Sequence, residues 1–160
     1  MKGIRWRSSM AVDHGVIDHD HRHLIDIVNR FGEHVSLGTA GLPVAVDVLH
    51  ALQFYAGTHF VREEGLQRLI DYPEAGSHHD EHQRLLATLG EIIAKTRSVT
   101  EADTATVVPE LTNLLRSWLL DHILRRDLPM KPYAELMNRH ATGFPELRQV
   151  VRQVSPAVAP

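Results

Sequence analysis

Tyr55-Ala56-Gly57-Thr58-His59-Phe60-Val61-Arg62-Glu63-Glu64 is the stretch on which the reading of this chain turns. Its flanks are helical in pattern. Val46, Leu49, Leu52, Phe54, Tyr55, Leu66 and Leu69 recur at helical spacing between Pro43 and Ile70, with Pro43 suited to a first helical position and Asp71-Tyr72-Pro73 to a stop. On such a helix His59 and Glu63, four residues apart, lie on one face, one above the other. An imidazole nitrogen and a carboxylate stacked in this way can hold a metal ion, or two ions if the carboxylate bridges.

Three further helices are expected around this one. From Asp18, a plausible N-cap, His21, Leu24, Ile25, Val28, Phe31 and Val35 step by threes and fours until Gly38-Thr39-Ala40-Gly41 breaks the pattern. A third helix covers about 74–96 and carries His78, His82, Leu85, Leu89, Ile92 and Ile93. A fourth carries Leu111, Leu115, Trp118, Leu119, His122 and Ile123, with Pro109 either beginning or kinking it and Pro129 and Pro132 ending it. Strand signals are nearly absent. The fold class expected is all-α, an up-down-up-down four-helix bundle over residues 1–133, with residues 1–17 as an N-terminal arm. Residues 134–160 are expected as a C-terminal extension, with a short amphipathic helix from Pro145 to Val154 and a tail.

Composition narrows the chemistry. A net charge of −3 and a pI near 6.4 give no footprint for nucleic acid. No apolar run is long enough to span a bilayer, and no targeting signal follows the basic start, so a soluble, cytoplasmic protein without a membrane partner is expected. Cysteine is absent, which removes disulfides and thiolate metal sites, so any metal must be held by histidine and carboxylate. Twelve histidines in 160 residues are the compositional oddity that such a site would explain.

Each expected helix supplies a donor near its apolar stripe: His21; His59 and Glu63; His78 and His82; His122 and Asp127. Five imidazoles and two carboxylates suit first-row divalent metals, iron among them, better than calcium or magnesium. Seven ligands exceed one ordinary site and fit two six-coordinate ions that share both carboxylates. Singly, each element is weak, because His-to-Glu and His-to-His steps of four occur on many solvated helix faces. One set per helix in so small a chain is the stronger signal.

The set resembles the hemerythrins, in their bacterial branch. Ile17-Asp18-His19-Asp20-His21-Arg22-His23-Leu24 is similar to the family's first ligand box, 55–64 to the second, His78-His79-Asp80-Glu81-His82 to the third, and Trp118-Leu119-Leu120-Asp121-His122-Ile123 with Asp127 to the fourth. The resemblance covers about residues 6–133. It implies a non-heme di-iron centre with an oxo or hydroxo bridge that binds O₂ reversibly. It also implies that His78, His82 and His122 hold one iron, that His21 and His59 hold the other, which keeps a vacant position, and that Glu63 and Asp127 bridge them. Trp118, Leu119 and Ile123 would then wall the O₂ position off from water, although plain core packing accounts for them equally well.

Two departures stand out. Asp20 replaces the glutamine common before the first histidine, which alters a contact behind the metal ligands. The step of five from His122 to Asp127 sets them about 140° apart on an ideal helix and calls for a wider turn or a long carboxylate reach. Glu64 is expected as surface charge or as support for His59. The remaining histidines, 14, 19, 23, 34, 50, 79 and 140, are expected off the site. An O₂ carrier, store or sensor is the leading expectation, with O₂ as ligand and the C-terminal extension as a possible link to a signalling partner. The alternative is a redox enzyme on the same centre, a peroxidase or a nitric oxide or oxygen detoxifier. A ferritin-like oxidase is disfavoured because no Glu-x-x-His pair occurs. The bland alternative is a helical scaffold with one zinc ion or none.

Overall fold

The computed structural model describes residues 3–141. Four long helices carry the fold: α1 (Val16–Val35), α2 (Leu42–Leu69), α3 (Ala75–Arg97) and α4 (Thr104–His122). Helix α1 packs on α2 and α4, and α3 packs on the same two, as in an up-down-up-down four-helix bundle. No strand occurs among the described residues. None of their helices is long and apolar enough to cross a membrane.

Helix starts follow the local chemistry, with one correction. Pro43 occupies the first turn of α2, where its missing N–H costs nothing. Pro109 does not begin α4; it lies inside the helix, past the first turn. Asp18 is not the N-cap of α1. The helix begins two residues earlier, and the capping carboxylate is Asp13, which accepts the backbone N–H groups of Gly15, Ile17 and Asp18 at 2.8–3.1 Å. The buried Asp18 side chain turns back and accepts the N–H groups of Val12 and His14, fastening the arm to the helix. Two aspartates thus satisfy five backbone donors that the turn into α1 leaves exposed.

After His122 the chain passes through a π turn, Ile123–Asp127, and then a 3₁₀ segment, Leu128–Tyr133. A further helix, α5 (Ala134–Ala141), follows and packs against α2. Its Asn138 donates to the carbonyl of Asp13, so α5 also holds the arm. The short helix expected between Pro145 and Val154 lies outside the described residues.

Buried apolar residues form two clusters. The larger runs through the body of the bundle and includes Leu24, Phe31, Leu49, Leu52, Phe60, Leu89, Leu115 and Leu119. The smaller closes one end and joins Val12, Val16, Ile17, Leu66, Ile70, Tyr72, Met130 and Met137. Along α1, along α2 and after α4, the change from one cluster to the other falls at candidate donors. His21 stands between Ile17 and Leu24, His59 and Glu63 between Ala56 and Leu66, and Asp127 between Ile123 and Met130. The bundle therefore has a polar layer between two dry ones.

If Asp13 anchors α1, Asp13→Ala will destabilise the protein by about 1–2 kcal/mol, the upper part of the range for a lost cap, because three N–H groups lose their acceptor. Urea unfolding measures this. An unchanged midpoint would refute the cap assignment.

Candidate metal centre

All seven candidate donors are buried in that layer, none more than 4% exposed. Their donor atoms fall into two groups, and within each group all lie within 4.8 Å of one another. One group comprises His78, His82 and His122 with Glu63 and Asp127; the other comprises His21 and His59 with the same two carboxylates. Each carboxylate divides its oxygens between the groups. Glu63 Oε1 is 2.8 Å from His78 Nε2, while Oε2 is 3.2 Å from His59 Nε2. Asp127 Oδ1 is 3.0 Å from His78 Nε2 and 3.1 Å from His122 Nε2, while Oδ2 is 3.0 Å from His21 Nε2.

The five-residue step from His122 to Asp127 is reconciled by the π turn. An i→i+5 turn brings residues five apart back into register, and the Leu128 N–H bonds the Ile123 carbonyl in that pattern. Apart from His82 Nε2 and His122 Nε2, 3.2 Å apart, the short contacts among the donors are not aligned hydrogen bonds. His21 Nε2, His59 Nε2, His78 Nε2, Glu63 Oε2 and both Asp127 oxygens have no hydrogen-bond partner. Burying such atoms unpaired costs on the order of several kcal/mol in total unless a third body engages them. Imidazole nitrogens and carboxylates so disposed fit divalent first-row metal ions.

Behind the donors lies a set of supporting contacts. His59 Nδ1 is 3.2 Å from Asp20 Oδ2, and the same carboxylate accepts Tyr55 Oη at 2.7 Å and Arg62 Nε and Nη2 at 2.9 and 2.7 Å. Glu64 supports His82 rather than His59. Its Oε1 is 2.8 Å from His82 Nδ1 and its Oε2 3.1 Å from His79 Nδ1, because position 64 faces α3 where position 63 faces the layer. Exposed His79 touches Glu64 and belongs to neither group of donors. Gln67, unremarked in the sequence, donates from Nε2 to Glu63 Oε1 at 3.0 Å; its place one turn beyond Glu63 was the available signal. Phe60, another unremarked residue, stacks on His82 with ring centroids 3.9 Å apart. Trp118, Leu119 and Ile123 lie in the larger apolar cluster, and the Trp118 indole donates to the Leu85 carbonyl, tying α4 to α3.

Electrostatics pull protons toward the layer. Burial alone would lower His59, but the Asp20 and Glu63 carboxylates close beside its two ring nitrogens raise its pKa to about 10. Burial likewise opposes His78, and Asp127 and Glu63 raise it to about 9. Burial prevails at His122, which falls to about 4. For Glu63, burial and the Asp127 charge push upward, and the contacts with His59 and His78 outweigh them to leave it near about 2.

A family model described as Hemerythrin HHE cation binding domain matches residues 13–134. The chain belongs to the hemerythrin family. It is 24% identical over 139 residues to a bacteriohemerythrin of Stenotrophomonas maltophilia (strain R551-3), covering 87% of this chain and 84% of that protein. It is 27% identical over 131 residues to one of Campylobacter jejuni (serotype O:2), 79% of this chain and 91% of the relative. With one of Methylococcus capsulatus it shares 28% over 113 residues, 71% and 82%. Membership makes this a metal-binding domain of the O₂-binding type, and the family implies iron.

If His59 and His78 ligate metal, loading must displace the protons that their raised pKa values keep on them near neutral pH. Calorimetric titration of the metal-free protein near pH 7.5, in buffers of different ionisation enthalpy, should show about two protons released per chain, with affinity falling as pH falls. Both folded-state values lie above the ordinary 6.5, so their contribution to metal-free stability is complete below pH 6.5 and is lost as pH rises through about 9 to 10. Buffer-independent heats would contradict this.

Proposed function

We propose that the chain binds O₂ reversibly at a non-heme di-iron centre, as an oxygen carrier, store or sensor. His78, His82 and His122 would hold one iron, His21 and His59 the other, and Glu63 and Asp127 would bridge them. The observation that carries this reading is the division of each carboxylate's two oxygens between a three-histidine group and a two-histidine group. Family membership supports iron as the metal. The centre supplies, when loaded, reversible two-electron binding of O₂ on the side with fewer protein donors.

The chain's own residues account for reversibility. Bound O₂ is lost irreversibly when water or a proton donor reaches it, so its surroundings must be dry. Leu119 and Ile123 are buried beside the His122 turn, and the Trp118 N–H is committed to a backbone carbonyl, which leaves that wall without a free donor. Phe60 contributes a second apolar surface, its ring 5.5 Å from that of His59 on the two-histidine side as well as against His82 and His122. No acid–base side chain beyond the donors and their supports is needed, in keeping with a binding role. A soluble, cytoplasmic setting is part of the same proposal.

Iron-loaded protein should contain two irons per chain and develop a visible band with O₂ that disappears on degassing through repeated cycles. One ion per chain, or bleaching after a single exposure, would contradict it, the latter favouring a redox enzyme. Leu119→Ala should accelerate autoxidation several-fold without changing iron content, followed as decay of the oxygenated band. An unchanged rate would remove Leu119 from the wall.

A further inference from the structure

We infer that Asp20 is a positioning residue for the two-histidine half of the centre: its carboxylate, clamped by Tyr55 and Arg62, holds the His59 Nδ1–H and thereby fixes His59 Nε2 toward the second metal ion. The inference rests on the two-ion reading and concerns a residue outside the seven donors.

An imidazole that binds metal through Nε2 carries its proton on Nδ1, and an acceptor for that proton sets both tautomer and ring orientation. In the three-histidine half, Glu64 plays this part for His82, but it is partly exposed and shared with His79. In the two-histidine half, His21 Nδ1 is buried with no hydrogen-bond partner. Asp20 is therefore the anchoring acceptor found for that half among the described residues.

The surroundings of Asp20 are built for the task. Its side chain is fully buried, and Tyr55, His59 and Arg62 reach it from positions i, i+4 and i+7 of α2, one stripe facing α1. Arg62 brings two nitrogens to Oδ2 and balances the charge, so the carboxylate is not left uncompensated in the interior. Tyr55 fixes the other oxygen. An ion pair serving only to join α1 and α2 would need Arg62 alone. The convergence of three donors, one of them a metal-facing histidine, sets the carboxylate plane against the His59 ring. Asp20 also adjoins His21 on α1, so one short segment places both imidazoles of this half.

The test is a titration of the metal-free full-length chain with Co²⁺, followed by visible absorbance and metal analysis, for wild type, Asp20→Asn and Tyr55→Phe. Asp20→Asn should leave the first equivalent within about twofold of wild type and weaken the second by about 10–100-fold; Tyr55→Phe, which leaves Arg62 and His59 on the carboxylate, should weaken it less. In the Zn²⁺-loaded protein, ¹⁵N–¹H spectra should show a hydrogen-bonded His59 Nδ1–H protected from exchange, and Asp20→Asn should speed that exchange several-fold. Wild-type affinity for both equivalents in Asp20→Asn overturns the inference and leaves the two-ion reading standing. Equal weakening of both equivalents with a lowered metal-free Tm also overturns it, by showing a purely structural ion pair. Fewer than two equivalents bound by wild type overturns the two-ion reading and this inference with it.

Discussion

Glu63 and Asp127 are fully buried within reach of one another's charge, and two carboxylates in that position require positive charge between them. Imidazoles around them can supply it as imidazolium, or can offer lone pairs to metal ions that carry it. The remaining architecture accommodates this requirement. Two apolar clusters isolate the layer from water, and four helices from different parts of the chain are held in the one arrangement that brings the donors together. If these donors hold metal, binding and folding are coupled through the same atoms: a buried polar layer that costs the empty bundle stability would stabilise the filled one.

Helix α2 is the spine of the arrangement. His59, Glu63 and Gln67 follow one another at single-turn intervals, with Tyr55 and Arg62 on the adjoining stripe toward Asp20 and Glu64 toward His82. A single helix thus supplies one imidazole to the two-histidine group, a carboxylate shared by both groups, and several of the contacts behind the imidazoles. Its long apolar flanks do not form a strongly one-sided surface, since α2 lies against α1, α3 and α5. The polar layer is thus carried largely by a helix packed against α1, α3 and α5.

Much of this was legible in the sequence. Helical spacing of apolar residues located the four helices, and the step of four from His59 to Glu63 put both side chains on one face. The step from His122 to Asp127 was readable as an irregularity, and the structure resolves it with a π turn. What escaped were contacts that depend on how helices face one another. Nothing local distinguishes Asp13 from Asp18 as a cap, or tells whether Glu64 leans toward His59 or across to His82. Gln67 and Phe60 read as ordinary interior residues until α3 and the segment after α4 are set beside them. Helix α5 was missed because Pro132 and the absence of a long apolar period hide so short a helix, whose burial comes from Met137 and Ala141 against α2.

Iron-edge anomalous diffraction from crystals of the iron-loaded protein addresses the central claim most directly. Two peaks about 3.5–4 Å apart are predicted, one among His78, His82 and His122, the other beside His21 and His59, with Glu63 and Asp127 spanning both. A single peak, or two peaks not joined by those carboxylates, would contradict the account.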